Sequence, residues 1–157
     1  MKQLITTIAI LIFSYQLNAQ MYMQIGAGIN IKQSHPVVEL NLGGIIKNKV
    51  ILSAGMQAVT TNNVREGGAA FQGRLGYQIK AGGKISFTPF TGYYYHLKSN
   101  DQKGLNSSGV LYGSDISFQT NIEQLRFYLS ATKIGTNLMA SAGIKFLFIN
   151  NSGISCR

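Results

Sequence analysis

Tryptophan is absent, proline occurs twice and cysteine once in a chain of 157 residues. The one thiol, Cys156, stands next to the last residue, so no intramolecular disulfide holds the fold together. A lipidated thiol would follow directly after an export segment, and no cysteine stands there, so Cys156 reads as an incidental tail residue. Acids are scarce too: five Asp and Glu face fourteen Lys and Arg, for a formal charge of +9. All charged residues together make up 12% of the chain, about half of the ~25% typical of a soluble domain. The basic residues are scattered and form no block, which argues against nucleic acid as a partner. Anionic lipid head groups or lipopolysaccharide fit such a charge better. After residue 20 no apolar run is long enough for a membrane helix.

What is present begins with an address. Lys2 precedes the apolar stretch Leu4 to Phe13, and Leu17-Asn18-Ala19 ends in the small residue that a signal peptidase requires. Residues 1–19 read as a cleaved signal peptide, because ten strongly apolar residues are too few to span a bilayer. Residues 20–150 are then the folded part, and residues 151–157 a short C-terminal tail. The length allows one domain.

The folded part alternates with period two. In Met21 to Ile31, one parity is Met21, Met23, Ile25, Ala27, Ile29 and Ile31, and the other is Tyr22, Gln24, Gly26, Gly28 and Asn30. No helical stripe gives that pattern. It recurs from Val38 to Ile46, from Val50, from Ala69, from Ile85 to Lys98, from Val110 to Asn121, from Leu125 to Ile134 and from Leu138 to Ile149. Eight strands are predicted, each near the length that a tilted membrane strand needs. Lys47-Asn48-Lys49, Gly82-Gly83 and Ile122-Glu123-Gln124 are tight turns. Thr61 to Gly68 and Ser99 to Ser108 are longer polar loops, whereas Lys32 to Pro36 and Gly135-Thr136 on the same rim are short.

Alternation alone leaves open which face meets solvent, since a soluble barrel also has one apolar face. Three features turn the apolar face outward. The polar face is rich in glycine (Gly26, Gly28, Gly43, Gly55, Gly76, Gly92, Gly113 and Gly143), which weakens an exposed strand but suits the cramped lumen of a small barrel. Its charges are expected to balance one another: Glu39 and Asp115 share it with Arg74, Lys80, Arg126 and Lys145, so an inward ionic network is expected. The outward aromatics fall in two bands. Phe71, Tyr93, Tyr95 and Tyr112 lie toward one rim, and Phe87, Phe118, Phe127, Phe146 and Phe148 toward the other, as in aromatic girdles. Pro89 interrupts the fifth strand, where a bulge or a strand end is expected.

On these patterns the chain resembles the small eight-stranded outer-membrane proteins, the OmpA transmembrane-domain and OmpX-like class. The resemblance covers Gln20 to about Asn150 and rests on pattern rather than on a diagnostic motif. Gly143-Ile144-Lys145-Phe146-Leu147-Phe148 has the look of a last strand that ends in an aromatic, although further residues follow Phe148. The resemblance implies an all-β, up-and-down antiparallel transmembrane β-barrel with an apolar exterior and a polar, glycine-rich lumen. It also implies insertion by the barrel-assembly machinery of a Gram-negative cell and a place in the outer membrane.

Catalytic signals are thin. Gly26-Ala27-Gly28 is not followed by a helix and lacks a third glycine, so it is no nucleotide loop. His35 and His96 are isolated, and neither HExxH nor CxxC occurs. No cofactor, metal or catalytic residue is assigned. His96 with Ser99 or Ser114 and Asp101 or Asp115 supplies the residue types of an outer-leaflet lipid-modifying enzyme, but so many serines make such a trio easy to find. The reading preferred is a closed barrel with a structural or surface-interaction role through its outer loops. The alternatives are that enzyme, a small component of an envelope or secretion assembly with a protein partner, and a soluble periplasmic barrel binding an apolar ligand.

Overall fold

The computed structural model describes residues 19–32, 34–47, 49–59, 68–98, 107–135 and 137–148, apart from the side chains of Ala19, Val59, His96, Lys98 and Ser107. Residues 1–18, which fall within the expected signal peptide, nearly all of the two longer loops and the tail with Cys156 lie outside them.

Residues that alternate apolar and polar become strands, because each parity then finds its own environment on one face of a sheet. The segments are β1 (Ala19–Asn30), β2 (His35–Ile46), β3 (Val50–Val59), β4 (Gly68–Tyr77), β5 (Ile79–Lys80), β6 (Ile85–Lys98), β7 (Ser107–Gln119), β8 (Leu125–Ile134) and β9 (Asn137–Phe148). Every pairing is antiparallel between neighbours in sequence, apart from the two closures: β4 pairs with β6 past the short β5, and β1 pairs with β9. The sheet therefore closes and leaves no edge, which is how a barrel satisfies its backbone.

Nine segments make eight staves. The β4–β6 register, Gly76 opposite Phe90, continues without a shift into Ile79 opposite Phe87. The gap between β4 and β5 has a single cause. The N–H of Gln78 donates to Lys49 on the β3 side, so the N–H and C=O of Tyr77 face β6. The residue opposite Tyr77 in that register is Pro89, which has no N–H to give. The bulge or strand end expected at Pro89 is thus corrected: β6 runs straight through it, with Thr88, Pro89 and Phe90 opposite Asp115, Ser114 and Gly113. The interruption falls on the neighbouring strand instead.

The register fixes the shape. Following pairs around the barrel from Gln20 leads through Ile45, Ile51, Gly76, Phe90, Gly113, Thr132 and Met139 back to β1 at Asn30, ten residues from the start. An offset of ten over eight staves tilts the strands by about 40° and leaves an interior wide enough only for side chains.

Both ends of the described chain, the Lys47–Lys49 turn, the Ala81–Lys84 turn and the Thr120–Gln124 turn share one rim. Gly82, with φ of 109°, occupies in the second turn a conformation that other residues rarely adopt. The opposite rim carries the remaining connections.

Candidate functional site: a sealed lumen

The outward face of the described strands is mostly apolar. Val110, Tyr93, Leu75, Leu42, Leu129 and Ile25 are among many large apolar side chains that lie exposed on it. Lys133 is the one charged residue that faces outward from the described strands, and its ammonium sits 5.6 Å over the ring of Tyr112, the residue opposite it on β7. The hydroxyl of Thr91, also outward, donates to the carbonyl of Leu111 at 3.2 Å, so it presents little polarity to its surroundings.

The inward face is layered. Toward the terminal rim, Tyr22, Ile45, Ile51 and Leu147 pack into an apolar plug. Toward the other rim, Val37, Phe90, Leu111, Ile134 and Met139 form a second plug with Tyr94 against it. Between them lies a polar layer in which Gln24, Glu39, Asn41, Gln72, Arg74, Asp115, Tyr128 and Lys145 are all buried.

Glu39 is the hub of that layer. Its Oε2 accepts from Arg74 Nη2 at 3.0 Å. Its Oε1 accepts from the Tyr128 hydroxyl at 2.8 Å and from Ser141 Oγ at 2.7 Å. Both oxygens are therefore used, as a buried carboxylate requires. The Arg74 guanidinium also lies 4.8 Å over the ring of Phe90, and the Lys145 ammonium 4.8 Å over that of Tyr22. Each plug thus offers an aromatic face to a cation of the polar layer. Gln72 Nε2 donates to Asn41 Oδ1 at 3.0 Å, and Gln57 Nε2 to the sulfur of Met139 at 3.2 Å.

Glycine makes the hub reachable. Tyr128, Gly143, Gly26 and Glu39 follow one another in register across β8, β9, β1 and β2. Tyr128 crosses two staves to reach Glu39, and a Cβ on Gly26 would collide with its hydroxyl. The same device recurs: Tyr22 lies over Gly43, Phe90 over Gly113 and Tyr94 over Gly109, each glycine on the following stave and directly opposite. The sequence puts Tyr22 and Tyr128 on the polar parity, but the plugs, the inward Phe90 and Tyr94 and the pairing of each ring with a glycine were missed by reading it. Their signal is an aromatic on the polar parity whose cross-strand partner is glycine, and it becomes visible only with the register.

The residues expected in the inward network divide as follows. Glu39 and Arg74 form the ion pair; Asp115 and Lys145 are buried inward, and Arg126 is inward and half-buried. Lys80 does not join them. It has the inward parity, but it ends β5 at the terminal rim, where there is no opposite wall to cover it, and it is exposed. The expected aromatic bands place Phe71 directly opposite Tyr95, with Tyr93 and Tyr112 at a similar height. Toward the terminal rim Phe118 is opposite Phe127, and Phe146 meets Phe148 edge-to-face at 5.4 Å. Phe87 is outward there too, and Phe146 is the half-buried member of the set.

For the enzymatic trio, Ser99, Asp101 and the His96 side chain lie outside the described residues. Ser114 and Asp115 alternate to opposite faces, and Asp115 is sealed inside, so these two do not converge. Among the described residues no group of His, Cys, Asp and Glu could hold a metal ion.

No protein-family model and no curated protein matches the chain. Solved structures do. The N-terminal β-barrel domain of Pseudomonas aeruginosa OprF aligns with a TM-score of 0.67 at 11% identity, over 83% of this chain and 98% of that one. A de novo designed transmembrane β-barrel aligns at 0.64 and 9%, over 83% and 97%. The attachment invasion locus protein Ail of Yersinia pestis, solved with the heparin analogue sucrose octasulfate, aligns at 0.51 and 10%, over 83% and 97%. The chain has the closed eight-stranded antiparallel barrel fold of these structures.

Proposed function

We propose that this protein is exported, inserted in the outer membrane, and acts there as a closed barrel with a structural or surface-interaction role at its outer rim. One observation carries the reading: large apolar side chains are exposed along the strands all round the barrel, with Lys133, among the described residues, alone as a charge among them. A soluble protein rarely exposes apolar patches beyond a few hundred Å², whereas hydrocarbon favours such a surface. The bands of Phe71, Tyr93, Tyr95 and Tyr112 and of Phe87, Phe118, Phe127, Phe146 and Phe148 then sit at the two head-group levels. Lys133, with its own Tyr112 beside it, reaches toward lipopolysaccharide without needing a protein partner.

The lumen supports the role by exclusion. Three layers of side chains fill it, so solute passage is not its task and contact with other molecules falls to the loops. An apolar ligand inside a soluble barrel fits this interior poorly, because an ion pair occupies its middle. Expressed with its own leader, the protein should fractionate with the outer membrane and migrate faster on a gel before boiling than after. Recovery as a soluble periplasmic product sinks the proposal.

A further inference from the structure

The charges inside the barrel do not cancel. Arg74, Arg126 and Lys145 point into the lumen, and among the described residues Glu39 and Asp115 are the inward carboxylates. Glu39 is saturated by Arg74, Tyr128 and Ser141. Among the described residues Arg74–Glu39 is also the only ion pair, so neither Lys145 nor Arg126 has closed on Asp115.

The register makes the excess local. Arg126 is directly opposite Lys145, and Lys145 directly opposite Gln24, on the inward face of β8, β9 and β1. Like charges directly opposite each other on one face destabilise a sheet unless something lies between them. Asp115 does not face Arg126 in register. The β7 residue opposite Arg126 is Gln119, and Asp115 lies four residues further along that strand. Meanwhile Arg126 Nε and Gln24 Nε2 are buried without a hydrogen-bond acceptor, and Lys145, 2% exposed, holds its ammonium 4.8 Å over the ring of Tyr22 and within the attraction of Asp115, whose Oδ1 is itself buried without a partner. This rung brings two cations together with an amide whose N–H is a further donor. Buried donors without acceptors are costly, and buried charges are tolerated only when compensated.

We propose that a small monovalent anion of the halide class binds in the lumen between Arg126 and Lys145, with Gln24 as a further donor. Such an anion supplies the missing acceptor, separates the two like charges and brings the described lumen to neutrality. The half-buried Arg126, near the terminal rim, marks its route of entry. The crowding by side chains limits the ligand to a near-spherical ion. The site stands independently of where the barrel resides or what its loops contact.

The test uses the full mature barrel refolded in a non-ionic detergent. Its thermal midpoint is followed while sodium chloride replaces sodium isethionate at constant ionic strength, so that general screening stays fixed. A saturable rise of a few degrees is expected. In Lys145→Met the two salts should give the same midpoint. Should that variant not refold, Arg126→Gln nearer the rim serves instead. Crystals grown from bromide should show an anomalous peak between the Arg126 and Lys145 side chains, and this peak decides the matter. Absence of a peak there, or density that refines as water alone, overturns the proposal.

Discussion

Glu39 shows how much a single buried residue can organise. It draws together β2, β4, β8 and β9 through Arg74, Tyr128 and Ser141. Glu39→Gln keeps the shape but strands the Arg74 charge, and breaking a buried pair in this way costs about 3–5 kcal/mol. Arg74→Met in the same background removes the orphaned charge, so the double variant should be more stable than Glu39→Gln alone. Chemical denaturation of the refolded barrel measures both, and a double variant at or below the single one would contradict the buried-pair account. Gly26 offers a sharper test. Gly26→Ala forces the Tyr128 hydroxyl away from Glu39, with an expected loss of about 2–3 kcal/mol from overpacking plus a broken charge-assisted hydrogen bond. In a Tyr128→Leu background the same substitution should cost less, because the colliding hydroxyl is gone and only the backbone carbonyl of Ala142, 2.9 Å from the added Cβ, stays in the way; equal costs would show that Gly26 is needed for the backbone rather than for its neighbour. Gly82→Ala tests conformation without contacts. Nothing lies within 4 Å of its virtual Cβ, yet its φ is 109°, so a loss of about 1–2 kcal/mol is expected from backbone strain alone.

At the level of the strand, Pro89 separates what is written locally from what is written in the partner. The alternation of residues 85–98 names a strand, and a strand forms. The missing donor, however, is felt across the seam at Tyr77, where β4 stops and β5 begins two residues later. Nothing in the local sequence of Gln78 announces the gap, because its cause sits eleven positions away in Pro89. Pro89→Val returns one N–H to the carbonyl of Tyr77. It should stabilise the barrel by about 1 kcal/mol, as one net backbone hydrogen bond does, and the amide gained at position 89 should be protected from hydrogen exchange. Rapid exchange at that amide would show that another cause opens the strand. The same division explains what could be read about the lumen. Parity placed Glu39, Arg74, Asp115, Arg126 and Lys145 on one face, because alternation is a local property. Which of them touch depends on register, and the ten-residue offset that sets register emerges only when the sheet closes. Lys80 shows the limit from the other side: its parity is inward, but it stands at a height where the barrel has ended. How the inward Tyr22, Phe90, Tyr94 and Tyr128 pack escaped notice for a related reason, since each ring is placed by the glycine it lies over.

Across the whole molecule, the lumen is closed three times in series. Tyr22, Ile45, Ile51 and Leu147 close the terminal side, Glu39 with Arg74 and Tyr128 spans the middle, and Val37, Phe90, Leu111, Ile134 and Met139 close the far side. The layers stabilise one another through the cations on the rings of Phe90 and Tyr22. An ion crossing the barrel would have to shed water at each apolar plug and displace a saturated carboxylate between them. In planar bilayers the wild-type barrel should therefore show no sustained current. Leu111→Gly combined with Met139→Gly opens the far plug, but the Glu39 layer still spans the path, so that variant should be silent as well. Adding Glu39→Gln loosens the middle layer, and only then are brief openings expected, because the terminal plug becomes the last barrier. Steady conductance in the wild type would mean that the packed layers part together on the timescale of the recording. It would move the working part of this protein from its rim to its axis.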